Sequence, residues 1–346
     1  MFLSYIKGNI KQMNTTPHIS LRDKLFPAII ISCMVIGLFI GNIVPKLAAA
    51  LEPFIPIGLF LMIYPTVAKV PFDKLRKSAL EGRPALLSIV LNYLINPLLL
   101  WFFGWLFLQN HPDLWTGLIL LGIAPCIGMV LVWADLGKAD NALSVSLMAW
   151  NSLIQIVTVP LWIFLIIGTR VQLPTNLILE STFLYLILPL IAAYITRKTL
   201  VTTKGVQWFD RQLSPILSNV QLFALLATLV LMFALKGEAI LKAPGLIAYM
   251  ILPLVLFFVT LFLIGTFISC YLMKLTMDKA VTVGFHVTGR NFELSIAIAL
   301  TAFAAYPIVA VSTVIGPLIE VPMMLSLVWL ARYLVERNPN CCITTT

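Results

Sequence analysis

Two side chains are able to do chemistry in places where it is expensive. Cys126 follows Pro125 inside the apolar run Ile123 to Met129, and Glu293 lies inside another, Gly289 to Ile298. A thiolate is a soft donor for thiophilic centres, and a carboxylate exchanges a proton for a cationic partner. An ionisable group near the centre of a bilayer costs at least about 2.5 to 3.5 kcal/mol, so one that is kept there marks a substrate, ion or proton pathway. The pair points to transport. Arg290 precedes Glu293 by three residues, so on a continuous helix the two share a face. Glu320, beside Pro322, is a second carboxylate in an apolar run. It serves either in coupling or as a protonated carboxyl bonded to a neighbouring helix.

Composition sets the elements that must position these groups. The chain has 346 residues, 60% hydrophobic and 11% charged, with a mean hydropathy of +1.01. That is more apolar surface than a soluble core of this size hides, which makes it an integral membrane protein. The net charge of +9 does not mean nucleic acid, because Lys and Arg sit in the gaps between apolar runs and not on one face.

Stretches of about 20 residues are long enough to cross the bilayer core. About ten are present, near 25–46, 51–71, 84–109, 115–135, 141–169, 180–197, 214–236, 244–273, 279–304 and 309–332. With the N-terminus inside, 18 Lys and Arg fall on the inner side and 4 on the outer, leaving Arg290 within a segment. Such a bias predicts an even number of spans with both ends cytoplasmic. The expected organisation is a cytoplasmic lead over 1–24, five-helix repeats over 25–171 and 172–334, and a cytoplasmic tail over 335–346. The lead lacks the pattern of a cleaved signal peptide. The five cysteines show no metal-ligand spacing and imply no disulfide framework. Cys33 and Cys270 read as small apolar core residues, and Cys341 and Cys342 as part of a frayed end.

The repeat is weak but consistent. Pro97 in the third segment matches Pro253 in the eighth, and Pro160 in the fifth matches Pro322 in the tenth. Five spans per half forces opposite orientations, the inverted repeat of secondary transporters. The fourth and ninth segments are then partners, and both are interrupted. Pro125 lacks an N–H and opposes the preceding turn; Thr288, Gly289, Arg290 and Asn291 put helix-poor residues halfway along the ninth. Broken helices at matching places expose free backbone groups near the midplane, the sequence signature of a transporter binding site.

The run from Gly117 to Trp133 around Pro125-Cys126 resembles the cysteine-bearing fourth helix of the arsenite efflux permeases of the arsenical-resistance type. Asn291-Phe292-Glu293-Leu294 and Gly316-Pro317-Leu318-Ile319-Glu320-Val321-Pro322 are similar to that family's ninth and tenth helices. The family shares a superfamily with the bile acid:sodium symporters, and the likeness runs from about Leu25 to Leu334. The resemblance implies an all-α membrane protein of ten helices in two inverted repeats, with broken helices 4 and 9 crossing at the midplane. It implies export of arsenite, and also antimonite, in exchange for protons across the plasma (inner) membrane. It implies no cofactor, resident metal or nucleic acid. The family's reactive cysteine falls on Cys126, its Asn-Phe-Glu on Asn291, Phe292 and Glu293, its tenth-helix glutamate on Glu320, its fourth-helix tryptophan on Trp133 and its fifth-helix asparagine on Asn151.

The implied substrate contacts are Cys126, Asn151, Asn291, Phe292 and Glu293, and the implied coupling residues Glu293, Glu320 and Arg290. One departure matters. Many members carry an arginine just before the cysteine, where this chain has Pro125; Arg290 instead precedes Asn-Phe-Glu. The expectation is that the positive charge is relocated across the break.

Chemistry agrees with the resemblance. Trivalent arsenic is thiophilic. Several converging thiols would trap it, whereas one thiol with oxygen ligands holds it weakly enough to release. A carboxylate shared between a proton, a cationic partner and the substrate makes loading exclusive with protonation, which gives antiport. A sodium-coupled organic anion symporter would share the fold and leave the cysteine incidental. An intramembrane enzyme lacks support, with 3 histidines, no His-Glu-x-x-His and no evident Ser–His pair; a channel would leave the same sequence marks. Asn92 and Asn96, spaced i and i+4, read as glue between helices, while Asn151 and Gln155, at the same spacing, share a face. Trp133 reads as a cavity wall two turns from Cys126 or as an interfacial anchor, and His286 as a proton relay or a structural histidine.

Overall fold

A computed structural model of the chain describes residues 21–69, 82–167, 175–242 and 244–337. Cys341 and Cys342, most of the N-terminal lead and most of the tail lie outside the described residues. The described chain is helical and contains no strand, only one isolated bridge between Pro125 and Arg290. In chain order the helices are α1 (Leu21–Ile43), α2 (Pro45–Ala68), α3 (Gly82–Phe107), α4 (Pro112–Ile123) and α5 (Met129–Leu136). They continue as α6 (Asn141–Ile167), α7 (Leu179–Lys204), α8 (Val206–Glu238) and α9 (Pro244–Leu272). Last come α10 (Met277–Thr288), α11 (Phe292–Ala302) and α12 (Pro307–Arg337).

Among the described residues 7 helices are long and apolar enough to cross a membrane: α2, α3, α6, α7, α8, α9 and α12. That makes a multi-pass membrane protein. Shorter apolar helices cover Ala28–Ile43, α4 and α11. Phe39, Phe223, Leu272 and Trp329 face outward, exposed, where a water-soluble surface would carry polar groups and a lipid-facing one does not. The fourth and ninth apolar stretches are each two half-helices, α4 with α5 and α10 with α11. Ala124 turns extended at φ −110, ψ 100 just ahead of Pro125, as a pre-proline residue should, and Gly289 does the same at φ −63, ψ 137.

The helices sort into two groups. α1, α2, α7 and α8 pack on one another as a panel, while α3, α4, α5, α6, α9, α10, α11 and α12 form a core bundle around both breaks. In lipid, helix association relies on close packing by small residues instead of the hydrophobic effect. Gly37 and Gly41, one turn apart on α1, sit against the α8 backbone at Val230 and Ala234, where a Cβ on Gly41 would overlap the Ala234 carbonyl. Backbone cannot yield as a side-chain tip can. Gly41→Val is therefore expected to cost about 1–3 kcal/mol by overpacking, read as a lower melting temperature in detergent. Gly82→Ala, with nothing within 4 Å of the new methyl, leaves it unchanged.

Candidate functional site at two crossed broken helices

The two breaks pair with each other. The Cys126 N–H donates to the Gly289 carbonyl at 3.0 Å, and the Asn291 N–H donates to the Ala124 carbonyl at 2.8 Å. Pro125 sits opposite Arg290 in this short antiparallel bridge, where its missing N–H costs nothing. Gly289 lets the two extended segments close up, since a Cβ there would stand 3.3 Å from the Cys126 Cβ.

A broken helix has two poles at its break, and the crossing separates them. On the N-terminal side, where backbone N–H groups point outward, the Cys126 sulfur accepts the Val130 N–H at 3.3 Å. Asn291 caps α11, its Oδ1 accepting the Leu294 N–H at 3.1 Å, and Glu293 lies in the first turn. The Asn291 Nδ2 is buried with no hydrogen-bond partner among the described residues. Cys126, Asn291 and Glu293 line one chamber of about 20 Å³ with Met62, Thr66 and Gln221, room for about one water. Thr66, Gly128, Met129, Gln221 and Leu225 also line an adjoining vestibule of about 450 Å³, with Lys69 in its wall.

On the C-terminal side the carbonyls of α4 and α10 converge, and Arg290 fills the space between them. Its Nε donates to the Thr288 carbonyl at 3.1 Å, Nη1 to Gly122 at 3.0 Å, and Nη2 to Val287 at 2.7 Å and to Asn92 Oδ1 at 2.6 Å. The Phe257 ring lies 5.6 Å away. One guanidinium thus bonds the last carbonyls of both half-helices, the favourable place for a cation. Glu320 supports the same segment, accepting the Arg290 backbone N–H at 3.1 Å.

Similarity to known proteins agrees with this architecture. Residues 56–243 match the model of the Sodium Bile acid symporter family. The arsenical-resistance protein Acr3 of Corynebacterium glutamicum is 35% identical over 96% of this chain and 96% of its own. The chain belongs to the sodium bile acid symporter family. A second arsenical-resistance protein Acr3, from Alkaliphilus metalliredigens, is 29% identical over 93% of this chain and 95% of its own. An uncharacterized transporter of Synechocystis, slr0944, is 33% identical over 94% of this chain and 92% of its own.

The structure brings Cys126, Asn291 and Glu293 to one chamber and leaves the other expected contacts outside it. Asn151 is buried behind the crossing, its Oδ1 3.4 Å from Asn92 Nδ2 and its carbonyl accepting from Tyr93 at 2.9 Å. Phe292 is buried and lines neither cavity. Arg290 and Glu293 do not share a face, because the helix restarts between them at Asn291; the guanidinium turns toward the carbonyl pole and has no bond to Glu293. Asn92 and Asn96 do act as glue, donating to the carbonyls of His286 and Val287 at 3.0 and 2.9 Å. His286 pairs with Ser144 at 2.8 Å. Trp133 is fully buried, so it is not an interfacial anchor. Cys270 is a buried core residue, as its reading had it, but it is disulfide-bonded, contrary to the expectation that the cysteines imply no disulfide framework. The sequence reading missed Thr66, Lys69 and Gln221, which come from the panel. Lys69 in the second segment and Gln221 in the seventh were visible as polar residues in apolar runs.

Removing the guanidinium strands the Gly122 and Thr288 carbonyls, one on each half-helix, at about 1–3 kcal/mol for each buried group left unsatisfied. Arg290→Met is expected to lose most of its folded yield and to melt well below the parent in detergent. Arg290→Lys, which keeps the charge but not the fork, falls between them.

Proposed function

We propose that this protein is a secondary active transporter that exports arsenite, and by the same chemistry antimonite, from the cytoplasm by proton antiport. The observation that carries the reading is the chamber itself: one thiol, one unpartnered amide N–H and one carboxylate at the crossing of two half-helices, in a chain related to arsenical-resistance proteins. Ten helices in two inverted repeats, 25–171 and 172–334, account for the packing. Exchanging the halves turns the pair α1 with α8 into α7 with α2, and α3 with α4 into α9 with α10, and all four pairs are in contact. Both termini lie in the cytoplasm of a cell whose plasma membrane holds the protein, as the basic bias requires. The vestibule, with Lys69 in its wall, then opens inward.

Arsenous acid enters uncharged. Its arsenic exchanges one hydroxyl for the Cys126 sulfur: an As–S bond forms, an As–O bond and the S–H bond break, and water leaves. The Asn291 Nδ2 donates to a remaining oxygen and ionised Glu293 accepts from the other hydroxyl. A proton reaching Glu293 from outside removes that acceptor and favours hydrolysis of the As–S bond, so loading and protonation alternate. The chamber is too small for arsenous acid in this conformation, and loading requires the panel helices α2 and α8 to move from the crossing. Arg290 and Glu320 serve coupling through the break's backbone; Asn151 and Phe292 shape the site from behind.

The test is arsenite uptake into inside-out vesicles from cells without their own arsenical pumps. Respiration makes the lumen acid and positive and drives uptake by the parent; a protonophore, which collapses both the pH difference and the potential, abolishes it. Glu293→Gln lowers gradient-driven uptake at least about tenfold, the loss of one interaction of about 1.4 kcal/mol. Unchanged uptake by Glu293→Gln, or uptake driven by sodium and not by protons, contradicts the reading.

A further inference from the structure

The vestibule is larger than arsenous acid needs. Its volume of about 450 Å³ is within the range of sites that hold drug-sized organic molecules, roughly 300–1,000 Å³. Its walls are mostly apolar, with Leu131, Val132, Leu222 and Leu225 among them, and its cation is Lys69. Lys69 Nζ donates to Gln221 Oε1 at 2.8 Å and to Ser218 Oγ at 3.1 Å. An ammonium has three donors, so among the described residues one is left over. Among the described residues no carboxylate pairs with Lys69, the described ion pair being Lys138 with Glu336. A partly buried cation without a counter-ion is costly, and this one stands in the wall of an apolar chamber. An uncharged solute makes no use of it.

Gln221 joins the two spaces. It lines both, its Oε1 receives Lys69, and its Nε2 lies 3.3 Å from where a Cβ on Gly128 would stand. In this conformation the gap between Gly128 and that amide is barely one methyl wide, so a group that reaches from the vestibule to the thiol enters only as the panel helices move, the same motion that arsenite loading requires.

We propose, resting on the arsenite reading, that the vestibule accepts the organic part of a trivalent monoaryl arsenic acid, R–As(OH)2. With the panel moved from the crossing, the arsenic binds Cys126, the ring lies against the apolar wall of the vestibule, and an anionic ring substituent meets Lys69. Attachment follows the inorganic step: an As–S bond forms, one As–O bond and the S–H bond break, water leaves, and the As–C bond and oxidation state are untouched.

The probes are arsenite, phenylarsonous acid and 4-carboxyphenylarsonous acid, each added to the same inside-out vesicles with accumulated arsenic counted by mass spectrometry. The parent is expected to accumulate both aryl compounds, with half-saturation for the carboxyphenyl acid at least about threefold lower than for the phenyl acid, a modest effect for one surface-accessible charge. Lys69→Met erases that preference and Lys69→Arg keeps it, while arsenite uptake by each variant reports that it folds. Should Lys69→Met not fold, Leu222→Trp, which fills the vestibule, lowers aryl uptake relative to arsenite at least about fivefold, in line with overpacking of a preformed pocket. Arsenite uptake without aryl uptake, a preference that survives Lys69→Met, or aryl uptake indifferent to Leu222→Trp overturns this assignment and leaves arsenite export standing. Failure of the parent to accumulate arsenite overturns both.

Discussion

Everything at the site depends on two backbone hydrogen bonds, Cys126 N–H to Gly289 and Asn291 N–H to Ala124. Irregular backbone inside a membrane is tolerable only where its polar groups find partners within the protein. Each break supplies what the other lacks, so neither is stable alone and together they form a rigid joint between four half-helices. The joint sets the position of the thiol and of Glu293, which line one chamber, without a hydrogen bond between the two side chains.

The same joint sorts charge. Helix N-termini favour anions and C-termini cations, and here the functional groups divide accordingly. The thiol, the carboxylate and the free Asn291 amide face the N-terminal pole, while Arg290 closes the carbonyl pole with Asn92 behind it. This differs from a cation placed beside the substrate. The charge of Arg290 is used within the scaffold and stands outside the chamber.

Much of this was legible in the residues. Pro125 within one apolar run and the Thr288 to Asn291 sequence within another announce the breaks, because proline and clustered helix-poor residues act locally. Cys126 and Glu293 stand out because ionisable groups are costly in lipid. What was not legible depends on direction. Spacing placed Arg290 and Glu293 on one face only for an unbroken helix, and the restart at Asn291 turns them to opposite poles. Asn151 is polar and close in the fold, yet only packing shows that Asn92 lies beside it and that it lines neither cavity. Lys69 and Gln221 are 152 residues apart, and no local pattern pairs them.

The most direct measurement is arsenic K-edge X-ray absorption on the purified protein loaded with arsenite, beside a Cys126→Ser sample of equal occupancy. The account predicts one sulfur and two oxygen neighbours in the parent and oxygen alone in Cys126→Ser. A first shell that keeps its sulfur after the substitution, or that contains two or more sulfurs in the parent, would contradict a single-thiol site at the crossing.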